Sequence, residues 1–463
     1  MRFLNRVSEL GLLGDRLAGD RAELLVVYGR RRIGKTELLT HLADGRRSLY
    51  VEATDSVASD QLRDLGDELA RVSGDALLAV QPLTGWPAAL AAIAQYVGDR
   101  RTLVVLDEFQ HLARQSPELE STLSQWWRAT GRTLPIVLVL AGSELSFFEG
   151  QVLAGQLYGR RTGQLRLEPF DAHGAGLFQP RYSAEDRVRT FAVCGGVPYY
   201  LDRFRDDRPL GENLRAEVFE RTGLLHEEAE LMLRQSLPDP TGHISVLRSI
   251  AHGHNRNSRI SERTRLSPGH VAKLLDALER LGLVERLRPI TASPRSRKTA
   301  YAITDHFLRF HHRFVEPARS QLRTPQLAAR YLDDTVLPRL DEFTSRAWET
   351  VCQQHVLRTV PGVTAVGRWW GPVPTGELRR TEQREIDVVG VDGNRHPVVL
   401  GMCKWTAKPL GLAELRLLDR LAPHTGAVPG VRRFLFSRSG FDPRLREQAG
   451  PTLDLVTPDD VYA

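Results

Sequence analysis

Leu24-Leu-Val-Val-Tyr28-Gly29-Arg-Arg-Arg-Ile33-Gly34-Lys35-Thr36 is the stretch whose reading decides the fold. An unbroken apolar run ending at a glycine-bounded loop predicts a parallel strand covered on both faces. Gly29 to Thr36 then completes the pattern G-x-x-x-x-G-K-S/T, and helical spacing resumes over Lys35–Leu42. The glycines let backbone N–H groups wrap a phosphate, while the following helix presents its positive end to the same group. Gly29, Arg30, Arg31, Arg32, Ile33, Gly34, Lys35, Thr36 and Glu37 therefore form a candidate nucleotide cradle. In it Lys35 is expected on the β- and γ-phosphates, with the Thr36 hydroxyl in a magnesium shell.

A partner motif lies downstream. Leu103-Val-Val-Leu106 delivers Asp107 and Glu108 at its carboxyl end, where open α/β sheets bind their ligands. Asp107 is expected to hold magnesium, and Glu108 to orient or deprotonate the attacking water. Ser48–Glu52 and Ile136–Leu140 read as two further strands with amphipathic helices between, so a parallel sheet with helices on both faces is expected over 1–170. Ser143, at the tip of the last of these strands, suits either a γ-phosphate contact or a helix N-cap. Arg160 and Arg161 follow Gly159 and suit either an arginine finger given to a neighbouring copy or surface ion pairs.

Composition bounds the rest. The chain has 463 residues, three scattered cysteines and a formal charge of +6. It has neither an apolar leader at MRFLNRVSEL nor an uninterrupted apolar run long enough to span a bilayer, so a cytoplasmic protein without a membrane partner is expected. Residues 251–300 hold eleven Lys/Arg against four acids, a surplus of seven that localises the basic charge.

Beyond Asp171 the pattern turns helical to residue 240, interrupted by Gly195-Gly196-Val197-Pro198. Over 241–306 helices are expected at His243–His252 and Ser258–Thr264. A third, from Ser267 with Pro268 in its first turn, carries an apolar stripe of Val271, Leu274, Leu275 and Leu278. Leu283–Ile290 and Lys298–Ile303 follow as a hairpin, so the segment reads as a winged helix-turn-helix. Arg263, Arg265, His270 and Lys273, with Arg295, Arg297 and Lys298 at the wing tip, are its candidate DNA contacts; packing against a protein is the other use of such a module. A helical connector at 307–334, including Phe307–Phe314, leads to an α/β domain over 335–463 with a helix at Ala347–Leu357. Its expected strands are Glu385–Val391, Val398–Lys404 and Phe434–Ser437.

Taken together, GRRRIGKT, VVLDEFQ, AGSEL, LYGRRT, PF and GGVPYYL resemble the archaeal-type ATPases, a branch of the AAA+/STAND class. The resemblance implies ATP and magnesium as ligands, ADP as product, a helical lid over 171–240 with Gly195–Pro198 near the nucleotide, and Asn5–Leu10 near the adenine. It also implies a C-terminal domain similar to PD-(D/E)xK nucleases. There Glu349, Glu385, Asp387 and Lys404 would form a metal-dependent site; alternatively Asp387 and Lys404 are an ion pair between adjacent strands. Met402 departs from that pattern, standing where an acid is required, and a thioether is a poor magnesium ligand. Three activities are expected in order: a DNA-associated ATPase, a STAND-like switch acting through protein partners or homo-oligomers, and an ATP-gated nuclease.

Overall fold

The computed structural model describes residues 3–75, 78, 80–237, 239–293, 299–374 and 381–463, and divides into two compact units, Met1–Pro169 and Phe170–Ala463. The wing-tip residues Arg295, Arg297 and Lys298 lie outside the described residues.

In the first unit, β1 (Glu23–Tyr28), β2 (Ser48–Glu52), β3 (Thr102–Asp107), β4 (Ile136–Gly142) and β5 (Gly163–Arg166) form a parallel sheet in the order β2-β3-β4-β1-β5. β1, β3 and β4 are buried along their whole length, which is why each reads as a continuous apolar run. Alternate side chains go to opposite layers. Leu25, Val27, Val105 and Val139 pack against Leu13 and Leu17 of α1 (Val7–Ala18) and Leu38 and Leu42 of α2 (Lys35–Ala43). Leu24, Val26, Leu106 and Leu138 join the other layer. It is covered by α3 (Ala58–Ser73), α4 (Trp86–Val97), α5 (Phe109–Gln115) and α6 (Leu119–Ala129).

β5 was not expected. Its sequence, Gly163-Gln-Leu-Arg166, alternates between half-buried and exposed because it closes the sheet edge.

The second unit opens with helices, among them α7 (Ala184–Cys194). α8 (Thr241–Ala251), α9 (Asn257–Thr264) and α10 (Pro268–Arg280) follow. They are succeeded by an antiparallel hairpin of β6 (Val284–Leu287) and β7 (Ala300–Ile303). The Ser267 hydroxyl caps α10 by accepting the His270 N–H at 3.3 Å, and Val271, Leu274, Leu275 and Leu278 are its buried stripe. Both strands are shorter than expected.

After β6 the chain turns to a different sheet, where the Ile290 N–H donates to the Arg368 carbonyl at 2.8 Å. That sheet, in the order β12-β11-β10-β9-β8, comprises β8 (Ala365–Pro374), β9 (Thr381–Val391), β10 (Pro397–Lys404), β11 (Arg432–Ser437) and β12 (Leu453–Val456). β8, β9 and β10 are antiparallel neighbours, whereas β10, β11 and β12 run parallel, so the sheet is mixed. α11 (Leu337–Thr359) lies on it through Trp348, which packs on Trp405 and Phe436, and α12 (Leu412–Leu421) covers the face carrying Leu400.

Glu316 ties α8 to the connector. Burial alone would raise its carboxyl, but the His312 ring at 2.8 Å and the Arg248 guanidinium, with Nε at 3.1 Å, hold it down at about 2. A carboxylate depressed below its unfolded value of about 4.3 stabilises the fold above that value, and the stabilisation is lost as pH falls towards 2. Glu316→Gln is expected to cost about 2–3 kcal/mol at pH 7, with the gap from wild type narrowing as pH approaches 3. Urea unfolding of both proteins at the two pH values checks this.

Candidate nucleotide site

The loop between β1 and α2 is shaped by close packing. A Cβ on Gly29 would lie 2.4 Å from the Leu167 carbonyl oxygen, so only glycine fits there. Gly34, with φ of 85°, turns the chain left-handed into α2. From the other side the buried Arg6 supports the loop, donating to the Ile33 carbonyl at 3.0 Å and to Glu9 at 2.7 Å.

Lys35 is buried, and its Nζ donates to the carbonyls of Gly29 at 3.0 Å and Arg30 at 3.1 Å. Burial lowers its pKa, against the opposing pull of Glu108 and Asp107. An ammonium held by two carbonyls in a desolvated loop gains most from a neighbouring anion, and a phosphate supplies one.

β3 delivers Asp107, which is fully buried. Its Oδ2 accepts the Thr36 hydroxyl at 2.9 Å and the Tyr50 hydroxyl at 2.7 Å, and its Oδ1 accepts the Glu108 N–H at 2.9 Å. The Tyr50 phenol is pushed up by burial and by Asp107, so it stays a neutral donor. Glu108 adopts left-handed φ of 50°, a conformation unusual for a residue with a Cβ and common at functional turns. Its Oε2 accepts the Ser143 hydroxyl at 2.9 Å and the Gln110 amide. Ser143 therefore holds Glu108 and is no helix cap; the N-cap position of the short helix Leu145–Phe147 is Glu144. The exposed end of β2 adds Glu52, whose carboxyl is raised by burial and by the nearby acids Asp107, Glu108 and Glu37.

Lys35, Thr36, Asp107, Glu108 and Ser143 are thus brought together, joined by Tyr50, Gln110 and Arg6. Only a hydroxyl between the apolar Leu49 and Val51 of β2 hinted at Tyr50. Thr36 and Asp107 present hard oxygens 2.9 Å apart, the donor chemistry that suits magnesium. Arg161 donates to the Leu153 carbonyl at 2.7 Å and stacks on Tyr158, while the Arg160 Nε is buried with no partner among the described residues.

The C-terminal residues do not assemble as a hard-oxygen site. Asp387 is buried and its Oδ2 takes the Cys403 N–H at 2.9 Å. Burial raises its pKa. Glu349 is ion-paired with Arg368, Glu385 is exposed, and Met402 sits in the apolar cluster with Leu400, Leu415 and Leu418. Asp387 and Lys404 form no ion pair, because the Asp387 carboxylate is turned to the β10 backbone. Among the described residues no group of three or more His, Cys, Asp or Glu could hold a metal ion, so a cation held by Thr36 and Asp107 would also need oxygens of a bound nucleotide.

On the three-helix module, Arg263, Arg265, His270 and Lys273 are all exposed. The three cysteines are free and buried, and among the described residues no helix is long and apolar enough to cross a membrane.

Comparison with known proteins agrees with the first unit. Residues 3–204 match the family model described as an ATPase domain predominantly from Archaea, and 311–415 match one described as archaeal and bacterial proteins of unknown function. An uncharacterized protein of Methanocaldococcus jannaschii is 26% identical over 407 residues, 87% of each chain. An uncharacterized ATP-binding protein of the same organism is 38% identical over 45 residues, 10% of this chain and 76% of that one. Among solved structures, a Walker-type ATPase of Pyrococcus abyssi superposes with a TM-score of 0.51 at 18% identity, covering 67% of this chain and 96% of its own. The match over residues 3–204 and the fold shared with that Walker-type ATPase support ATP binding and hydrolysis by the N-terminal region.

Proposed function

We propose that the protein is a cytoplasmic, magnesium-dependent ATPase whose turnover is linked to DNA engaged by the three-helix module. The observation that carries the ATPase reading is the Thr36–Asp107 pair beside the Lys35 loop. Thr36 and Asp107 would hold magnesium together with the nucleotide, and the ion would supply charge neutralisation at the phosphates. Lys35 exchanges its loop carbonyls for phosphate oxygens. Glu108, fixed by Ser143 and Gln110, orients the attacking water and accepts its proton. Tyr50 keeps Asp107 aimed by donating to its Oδ2.

The DNA reading is supported by exposed basic side chains opposite the buried stripe of α10 and by the basic surplus over 251–300. The winged-helix reading is supported by three helices followed by a hairpin. For the C-terminal domain, the helix-led mixed sheet supports a nuclease-like fold. The burial of Met402 and the commitments of Asp387 and Glu349 favour binding or assembly over cleavage.

Duplex DNA at low salt is expected to raise steady-state ATP hydrolysis several-fold. Arg263→Gln/Arg265→Gln should weaken DNA binding by about tenfold and lower the salt dependence. An unchanged rate with DNA, together with no DNA retention in a filter assay, contradicts the DNA reading. Ser143→Ala is expected to lower kcat by about tenfold with little change in KM, because the lost contact positions Glu108 and does not bind substrate. Steady-state kinetics of the variant measures it.

A further inference from the structure

Among the described residues of the second unit there are three π-helical turns, Arg215–Phe219, His311–Val315 and Leu332–Val336. Such turns widen the helix, displace side chains from regular register and recur at functional sites. A cavity of about 500 Å3 is lined by residues within or close after the first two of them, among them Arg221, His226, His311 and Arg319. Its volume falls in the range of small-molecule sites.

The lining combines the imidazoles of His226 and His311 with three arginines and the carboxylates of Glu227 and Glu230. His311 is 2% exposed, yet both its ring nitrogens lack a hydrogen-bond partner. An unmade hydrogen bond at a buried polar atom is destabilising, so this ring is held at a penalty that an occupant would relieve. Burial, with His312 and His226 adding to it, lowers the His311 pKa to about 3, so the ring is neutral and offers one donor and one acceptor. His226, also in the lining, has Nδ1 3.0 Å from the Val218 carbonyl, which makes that nitrogen the donor and leaves Nε2 for an occupant. Imidazole nitrogens complement hydroxyls, which donate and accept at one atom.

The exposed part of the lining is net cationic, with Arg221 and Arg323 against Glu227. Arg319 is neutralised by Glu230, whereas Arg221 and Arg323 are exposed and make no ion pair or hydrogen bond among the described residues. Two unpaired guanidiniums flanking one opening match a phosphate, which accepts paired N–H groups from each.

We propose that this cavity is a binding site for a small phosphorylated polyol of sugar-phosphate size, with its phosphate on Arg221 and Arg323 and its hydroxyls on His311 and His226. The site lies wholly within the second unit and uses no residue of the nucleotide loop.

Calorimetric titration of the full chain with ribose 5-phosphate, inorganic phosphate and ribose tests the assignment. Ribose 5-phosphate is expected to bind at least about tenfold tighter than phosphate, and ribose more weakly than either. Arg221→Gln/Arg323→Gln should weaken ribose 5-phosphate by about tenfold or more, while Lys35→Ala leaves it unchanged. His311→Phe should retain phosphate binding but lose the preference for the sugar phosphate. Absence of binding, equal affinity for the two phosphates, or binding lost in Lys35→Ala and kept in the arginine double variant overturns the proposal.

Discussion

A fully buried carboxylate at the end of a strand is the constraint on which the nucleotide site depends. Asp107 has no water to solvate it, so protein donors must do so, and they come from separate elements: Thr36 from α2, Tyr50 from β2 and the Glu108 amide from the turn beyond β3. Satisfying Asp107 fixes the first residues of α2 against two strands. That in turn places Lys35 and the loop amides where a phosphate can meet them. The strained turn at Glu108 belongs to the same arrangement, because the chain must reverse there for the neighbouring carboxylate to reach Ser143 and Gln110.

In the second unit the organising contact is also ionic. Asp341 on α11 accepts from Arg189 of α7 at 2.9 Å, from Arg438 at 2.5 Å and from the Trp405 indole at 3.1 Å, and both arginines lie over the Trp405 ring. Arg438 also bonds Glu185 at 2.8 Å. This network binds the helical segment after residue 170 to the mixed sheet. A half-buried network of this kind is worth more than isolated surface pairs because each charge has several partners.

Much of this was legible in the sequence where structure is local. β1, β3 and β4 announce themselves because both of their faces are covered, and α10 because Ser267, Pro268 and the Val271–Leu278 spacing all act within one helix. The nucleotide loop is contiguous, so its chemistry can be read directly. What stayed hidden requires tertiary contact. Tyr50 meets Asp107 across 57 positions, and Gln110 gains its role only when Glu108 and Ser143 converge. β8 was missed because Gly367, Gly371, Pro372 and Pro374 give it the composition of a loop, while pairing with β9 makes it a strand. The departure at Met402 was visible in sequence, but its place in an apolar cluster was not.

The central claim is that Lys35 and Glu108 divide the work, one binding phosphate and the other driving hydrolysis. The most direct measurement is ATP affinity and turnover side by side for wild type, Lys35→Ala and Glu108→Gln. The account predicts that Lys35→Ala loses both, whereas Glu108→Gln keeps ATP affinity within a few-fold and loses hydrolysis by about a hundredfold or more. Wild-type turnover in Glu108→Gln, or undiminished ATP binding and hydrolysis in Lys35→Ala, would contradict it.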